Sequence, residues 1–352
     1  MPTRERAAFL LRDQASYCDA MGSPLYARLL EHAADDAAAG GAVFALVEPF
    51  DAPNVRADAL ALRLMAAVHR LVLTGEAPRL AAHFPTAGGR EGIDGAWEAF
   101  LELVTERKDR LQPLVAQSCQ TNEVGRCAPL AFGFLELAVR HGLPLRLFEI
   151  GSSGGLNLRL DRFRYGGGGA SFGPADSPVD LSGLWLEAPL RLPERLEVAE
   201  RRGCDLNPIE IQSAEGRLRL ESSLWADQVQ RLGRLRGAFE LAARLPASVE
   251  RASVDEWLPR MLAEPRRGTT TVVFHSIVYE YFSEPVRRAF HAALDGAGAR
   301  ASKHAPLAWL RFEAVPEVRG YAATLTTWPG PVERVVATAG AHGADVRRPA
   351  AA

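Results

Sequence analysis

The feature that most limits how this chain can fold is a change of pattern near its middle. Residues 1–142 carry apolar spacings of helical type and no strand pattern, and then Leu145-Arg-Leu-Phe-Glu-Ile150 runs directly into Gly151-Ser-Ser-Gly-Gly155. Six residues of that composition have the length of a buried strand, and the glycines beyond them predict a tight turn at its carboxyl end. Before the switch, Ser23-Pro24 predicts a helix start and Gly40-Gly41 its stop. Leu60, Leu64, Val68 and Leu71 predict a second helix halted at Gly75. Trp97, Phe100, Leu101, Val104 and Leu111 predict a third, and Arg126 to His141 a fourth, stopped by Gly142.

After the switch, strands alternate with helices. Leu156 to Leu160 reads as the start of a helix, and 161–198, with its four-glycine run at 166–169, as an insertion containing a flexible loop. Glu200 to Asn207 predicts a strand ending on Asp205, Ser222 to Leu245 a helix, Val249 to Val254 a short strand, and Thr269 to Ser276 a buried strand rich in β-branched residues. Leu307 to Phe312 adds a strand, and Tyr321–Thr327 with Val332–Thr338 flank Trp-Pro-Gly-Pro as an antiparallel hairpin. The expected fold is α/β: a mostly parallel sheet wrapped on both faces, with an α-helical N-terminal region. The expected organisation is a helical cap over 1–115 and the sheet domain over 116–352.

Composition removes several function classes. The 41 basic and 43 acidic side chains give a net charge of −2, and only Lys108 and Lys303 are lysines. No basic footprint for nucleic acid is expected. No stretch approaches the ~18 apolar residues of a membrane span, and no signal peptide is seen. Cys18, Cys119, Cys127 and Cys204 lack metal spacing, and no His-Glu-x-x-His pair occurs, so free thiols, no metal and a cytoplasmic location are expected.

Chemistry is expected at the carboxyl ends of the strands, where open α/β sheets bind ligands. Glu149-Ile-Gly151-Ser-Ser153-Gly-Gly155 matches the acidic-x-Gly-x-Gly-x-Gly turn of class I S-adenosylmethionine-dependent methyltransferases, with Ser153 replacing the middle glycine. Asp205 is placed to hold ribose hydroxyls, and Asp255, more weakly, the adenine amino group, although either could instead cap a helix. His275, with Tyr279 and Tyr281 just beyond, is the candidate for orienting or deprotonating an acceptor. In Gln120-Thr-Asn-Glu-Val-Gly-Arg126, Asn122, Glu123 and Arg126 are candidates for substrate binding, or for capping the following helix. The same glycine turn satisfies Gly-x-Ser-x-Gly. A serine hydrolase with Ser153, Asp255 or Asp227, and His275 or His342 is therefore an alternative. A catalytically silent cofactor-binding protein is another.

The chain resembles the bacterial domain-of-unknown-function 2332 family. The resemblance lies in Gly22-Ser-Pro-Leu-Tyr26, Gln120 to Arg126, Glu149 to Leu158, Asp161-Arg-Phe-Arg-Tyr165, Asp205-Leu-Asn-Pro208, His275-Ser276, Trp328-Pro-Gly330 and His342-Gly343. It implies a methyltransferase-like Rossmann domain of seven strands with an antiparallel C-terminal hairpin, S-adenosylmethionine as cofactor, and no assigned reaction. A small-molecule or peptide-sized acceptor is the expected partner.

Overall fold

The computed structural model describes residues 3–50, 58–315 and 320–349. The chain forms two compact units, one of Met1–Thr121 with Ser213–Leu232, the other of Asn122–Gln212 with Gly233–Ala352.

The first unit is helical: α1 (Arg4–Ala20), α2 (Pro24–Ala39), α3 (Ala42–Val47), α4 (Leu60–Leu73), α5 (Pro78–Ala81), α6 (Ala96–Glu106), α7 (Lys108–Val115) and, from the distant segment, α9 (Ala214–Ser222). The run from Trp97 to Leu111 is two helices rather than one, because Arg107 leaves helical geometry (φ −116°, ψ 25°) and closes α6. Ser23 does not cap α2 with its own side chain. Instead Asp227 accepts from Ser23 Oγ at 2.5 Å and from Leu25 N at 3.0 Å, and Tyr26 Oη donates to Leu224 O. Ser222 to Leu245 is likewise not one helix. It breaks between α9 and α10 (Val229–Arg244), and in the break Trp225 and Ala226 enter the same core as Leu11, Leu30, Leu64 and Phe100.

The second unit holds a seven-stranded sheet. Its strands are β1 (Leu145–Ile150), β5 (Val198–Asp205), β6 (Ser248–Arg251), β7 (Thr270–Ser276), β8 (Leu307–Val315), β9 (Gly320–Trp328) and β10 (Val332–Ala339), in the order β10-β9-β8-β7-β1-β5-β6. The pairs β6/β5, β5/β1, β1/β7 and β7/β8 are parallel; β8/β9 and β9/β10 are antiparallel. The last three strands thus form a meander. Strand order reverses at β1, so the switch point of the sheet lies between β1 and β7.

Both faces are covered, which explains why β1 and β7 are buried along nearly their whole length. On one face lies α8 (Cys127–His141), whose Phe134 meets Phe274 edge-on at 5.2 Å. On the other lie α11 (Val254–Met261) and α12 (Glu284–Arg300), around Phe148, Trp257, Phe290 and Trp309.

The connection from β1 to β5 departs from expectation. Leu156–Arg162 is a 3₁₀ stretch with non-helical geometry at Arg159, and its first six residues are buried. An amphipathic α-helix needs a solvent-facing side, and this segment has none. A second sheet of β2 (Arg164–Gly167), β3 (Ala170–Phe172) and β4 (Asp180–Trp185) follows. The four-glycine run is the tight β2–β3 hairpin rather than a flexible loop, and a Cβ on Gly167 would meet Trp185 O. Tyr165 stacks on Trp185 at 5.6 Å, and Arg201 bridges Asp161 through two bonds of 2.6 and 2.8 Å. Among the described residues no helix is long and apolar enough to cross a membrane.

Candidate functional site

The turn after β1 is held from three directions. Ser152 N donates to Cys204 O at 3.1 Å, Ser153 N to Asp205 Oδ2 at 2.8 Å, and Gly155 N to Ser152 O at 2.7 Å. Asn122 Oδ1 accepts from both Gly154 N (3.2 Å) and Leu156 N (3.0 Å). With these amides occupied, the turn does not present an open nest of N–H groups to an anion. Gly151, Ser153 and Gly155 all have positive φ (65°, 54° and 68°). A Cβ on Gly151 would lie 2.5 Å from Val278 Cγ2, and one on Gly155 2.6 Å from Val249 Cγ2. Close packing of valines against the turn therefore requires these two glycines.

The polar segment before α8 is scaffolding as well. Asn122 holds the turn as described, and Glu123 Oε1 accepts from Gly125 N at 3.1 Å. Arg126 donates from Nε to Ala341 O (3.1 Å) and from Nη1 to Ser276 O (3.3 Å). Gly125 sits against the His342 carbonyl, which a Cβ would approach to 2.3 Å. Asn122, Glu123 and Arg126, expected as substrate-binding or capping residues, thus form a joint that ties the glycine turn, the end of β7 and the 341–343 loop. Several segments far apart in sequence meet here, which the sequence could not show.

What the joint leaves for a ligand is a small set of orphaned atoms. Glu149 Oε2, Ser153 Oγ and Asn157 Oδ1 are buried without a hydrogen-bond partner, in residues 4%, 4% and 2% exposed. Burial pushes the Glu149 carboxyl well above its ordinary value; the Asn157 hydrogen bond and the Arg159 charge oppose this, while Asp205 reinforces it. Buried polar atoms are costly to leave unpaired, and three beside one turn fit a polar ligand better than the filled glycine cradle does. Asp205 closes β5 with Oδ2 on Ser153 N and Oδ1 on Asn207 N at 2.8 Å. Asp255 lies in the first turn of α11, where Ser253 Oγ donates to it, the helix-start position that the sequence also allowed.

His275 lies on the opposite face of the sheet from Glu149. In register, Glu149 pairs with Phe274, which packs on α8, whereas the His275 ring lies among Tyr279, Phe290 and Trp309. His275 is 0% exposed, and both ring nitrogens are engaged. Trp309 Nε1 lies 3.0 Å from Nε2; an indole N–H can only donate, so Nε2 accepts. Nδ1 then carries the hydrogen and donates to Glu313 Oε1 at 2.7 Å. His275, expected to face an acceptor, is thus placed inside a packed aromatic cluster with both ring nitrogens in hydrogen-bond contact. Tyr279 stacks on His275, and its hydroxyl is 2.8 Å from His291 Nε2, so it belongs to the same packed cluster. Tyr281 is 51% exposed beyond the strand end and is not part of that cluster.

The sequence reading missed Glu313. Oε1 of this residue also accepts from Val278 N (3.1 Å) and Tyr279 N (3.3 Å). The signal was available: Trp309, Arg311 and Glu313 alternate along one strand and must share a face. The hydrolase arrangement is not assembled. Ser153 Oγ has no hydrogen-bond partner, and Asp227 is spent on the start of α2.

The chain belongs to the family described as an uncharacterized protein conserved in bacteria (DUF2332), which matches residues 8–348. No curated protein and no solved structure matches the chain.

Proposed function

We propose that the chain is an S-adenosylmethionine-dependent methyltransferase with a class I methyltransferase-like Rossmann sheet, acting on a small-molecule or peptide-sized acceptor. The observation that carries this reading is the orphaned carboxylate oxygen of Glu149, buried at the end of β1 beside the switch point of the sheet. Glu149 Oε2 would accept an N–H or O–H of the cofactor, and Ser153 Oγ would donate to or accept from it. Asp205, which holds the turn through Ser153 N and Asn207 N at the end of β5, would accept from the ribose hydroxyls of the cofactor. When bound, the cofactor supplies an electrophilic methyl group on a sulfonium sulfur. The residues of the chain contribute orientation and exclusion of water, not a histidine base.

The engagement of both His275 nitrogens favours a second reading, a protein that binds the cofactor and transfers nothing. Calorimetric titration with S-adenosylmethionine and S-adenosylhomocysteine separates these. Micromolar binding, about −8 kcal/mol, weakened at least tenfold in Glu149→Gln and Asp205→Ala, supports a cofactor site. No binding at millimolar cofactor overturns both readings. Binding without transfer of labelled methyl groups to a metabolite extract favours the second.

A further inference from the structure

On the α12 face, near the ends of β8–β10, lies a cavity of about 450 Å³ lined by Tyr279, Arg311, Glu313, Thr324, Glu333 and Arg334 among others. Its volume is that of a small-molecule site. The charges around it are unevenly matched. Arg311 holds Glu333 through two bonds of 2.9 and 3.2 Å, and Arg334 pairs with Glu136. Glu313 has no such partner: among the described residues no arginine or lysine pairs with it, and its donors are the His275 ring and two amides. Trp309 Nε1 donates to His275 Nε2 and so turns the Nδ1 side of the ring toward Glu313.

We propose that this cavity binds a small alkylammonium ligand, whose N–H groups donate to the Glu313 carboxylate while its chain lies along Tyr279, Ala314, Val315 and Val335. A carboxylate in a side chain 14% exposed, held by the His275 ring and two amides and, among the described residues, ion-paired with no arginine or lysine, is the complement of a desolvated ammonium group. Burial raises the Glu313 carboxyl, but the His275 bond and the Val278 and Tyr279 amides outweigh it and hold the group below its ordinary value. His275 and Trp309 are positioning residues here: they aim Oε1 inward and leave Oε2 for the ligand. The site stands on the face opposite Glu149 and does not depend on the cofactor reading.

The test is titration of the full chain with n-butylammonium chloride, followed by calorimetry or NMR, with n-butanol and sodium butyrate as size-matched controls at equal ionic strength. Saturable binding below about 10 mM, as expected for so small a ligand, should appear for the ammonium alone. Glu313→Gln should weaken it at least tenfold while its amide oxygen still accepts from His275 and the two N–H groups. Val335→Phe, which adds bulk from the position on β10 that pairs across Thr324 with Arg311 and so shares the face of Glu313, should abolish binding and decides the matter if the glutamine variant does not fold. Absence of saturable binding, equal binding of butanol, or unchanged affinity in Val335→Phe would overturn the proposal.

Discussion

The Asp205 carboxylate accepts the Ser153 amide at 2.8 Å, and through this bond the end of β5 fixes the turn that leaves β1. Ser153 is held there with φ 54°, a left-handed conformation in a residue that carries a Cβ. Such a conformation costs about 1 kcal/mol or more for an L-residue.

Ser153→Gly should therefore stabilise the chain or leave it unchanged, by up to about 1 kcal/mol in urea denaturation, after allowing for the greater freedom of glycine in the unfolded chain. A loss larger than that would mean that the buried hydroxyl makes a contact worth more than the strain.

Glu149 sets a pH dependence of definite sign. Its carboxyl lies above the ordinary value in the folded chain, so between the two values the folded state keeps a proton that the unfolded state has lost. The stability is fully present below the unfolded value and falls as pH rises through that window, by at most about 1.4 kcal/mol per pH unit. Glu149→Gln mimics the protonated form and should flatten this slope at pH values above the ordinary carboxyl range. Parallel slopes in the two proteins would show that Glu149 holds no extra proton.

His275→Ala removes a fully buried ring and leaves the Trp309 N–H without its acceptor and Glu313 without its ring donor. A loss of about 3 kcal/mol is expected from the cavity and the broken bonds. Stability unchanged to within 1 kcal/mol, measured by thermal and urea unfolding, would refute the packing role.

Asp227→Ala should cost about 1–2 kcal/mol, the usual loss for a helix cap, because Ser23 Oγ and Leu25 N lose their acceptor. Since Asp227 belongs to the helical unit and the glycine turn and the cavity at Glu313 to the other, cofactor and ammonium titrations on this variant should match the wild type.

Much of the fold was legible where the cause is local. Gly40 and Gly142 close α2 and α8 in left-handed geometry, and the apolar runs of β1 and β7 mark strands buried on both faces. The errors share one origin. Apolar spacing continues through Arg107 and through residues 223–228, so periodicity alone reads one helix where packing makes two. In the latter break, Trp225 is drawn into a core built by residues far earlier in the chain. At Leu156–Leu160 every residue is buried, so no amphipathic phase exists to be read.

The candidate site divides along the same line. The sequence by itself determined that a strand would meet a glycine turn at Glu149, that another would end on Asp205, and that His275 would sit at a strand terminus, since each depends on neighbours within a few residues. Tertiary structure alone decided what those residues touch. Asn122 reaches amides 32 and 34 residues away, Asp227 caps α2 through an amide 202 residues before it, and His275 meets Trp309 and Glu313 34 and 38 residues on. Strand register and helix placement set those distances. They arise from burial of apolar surface over the whole unit, which no local spacing encodes.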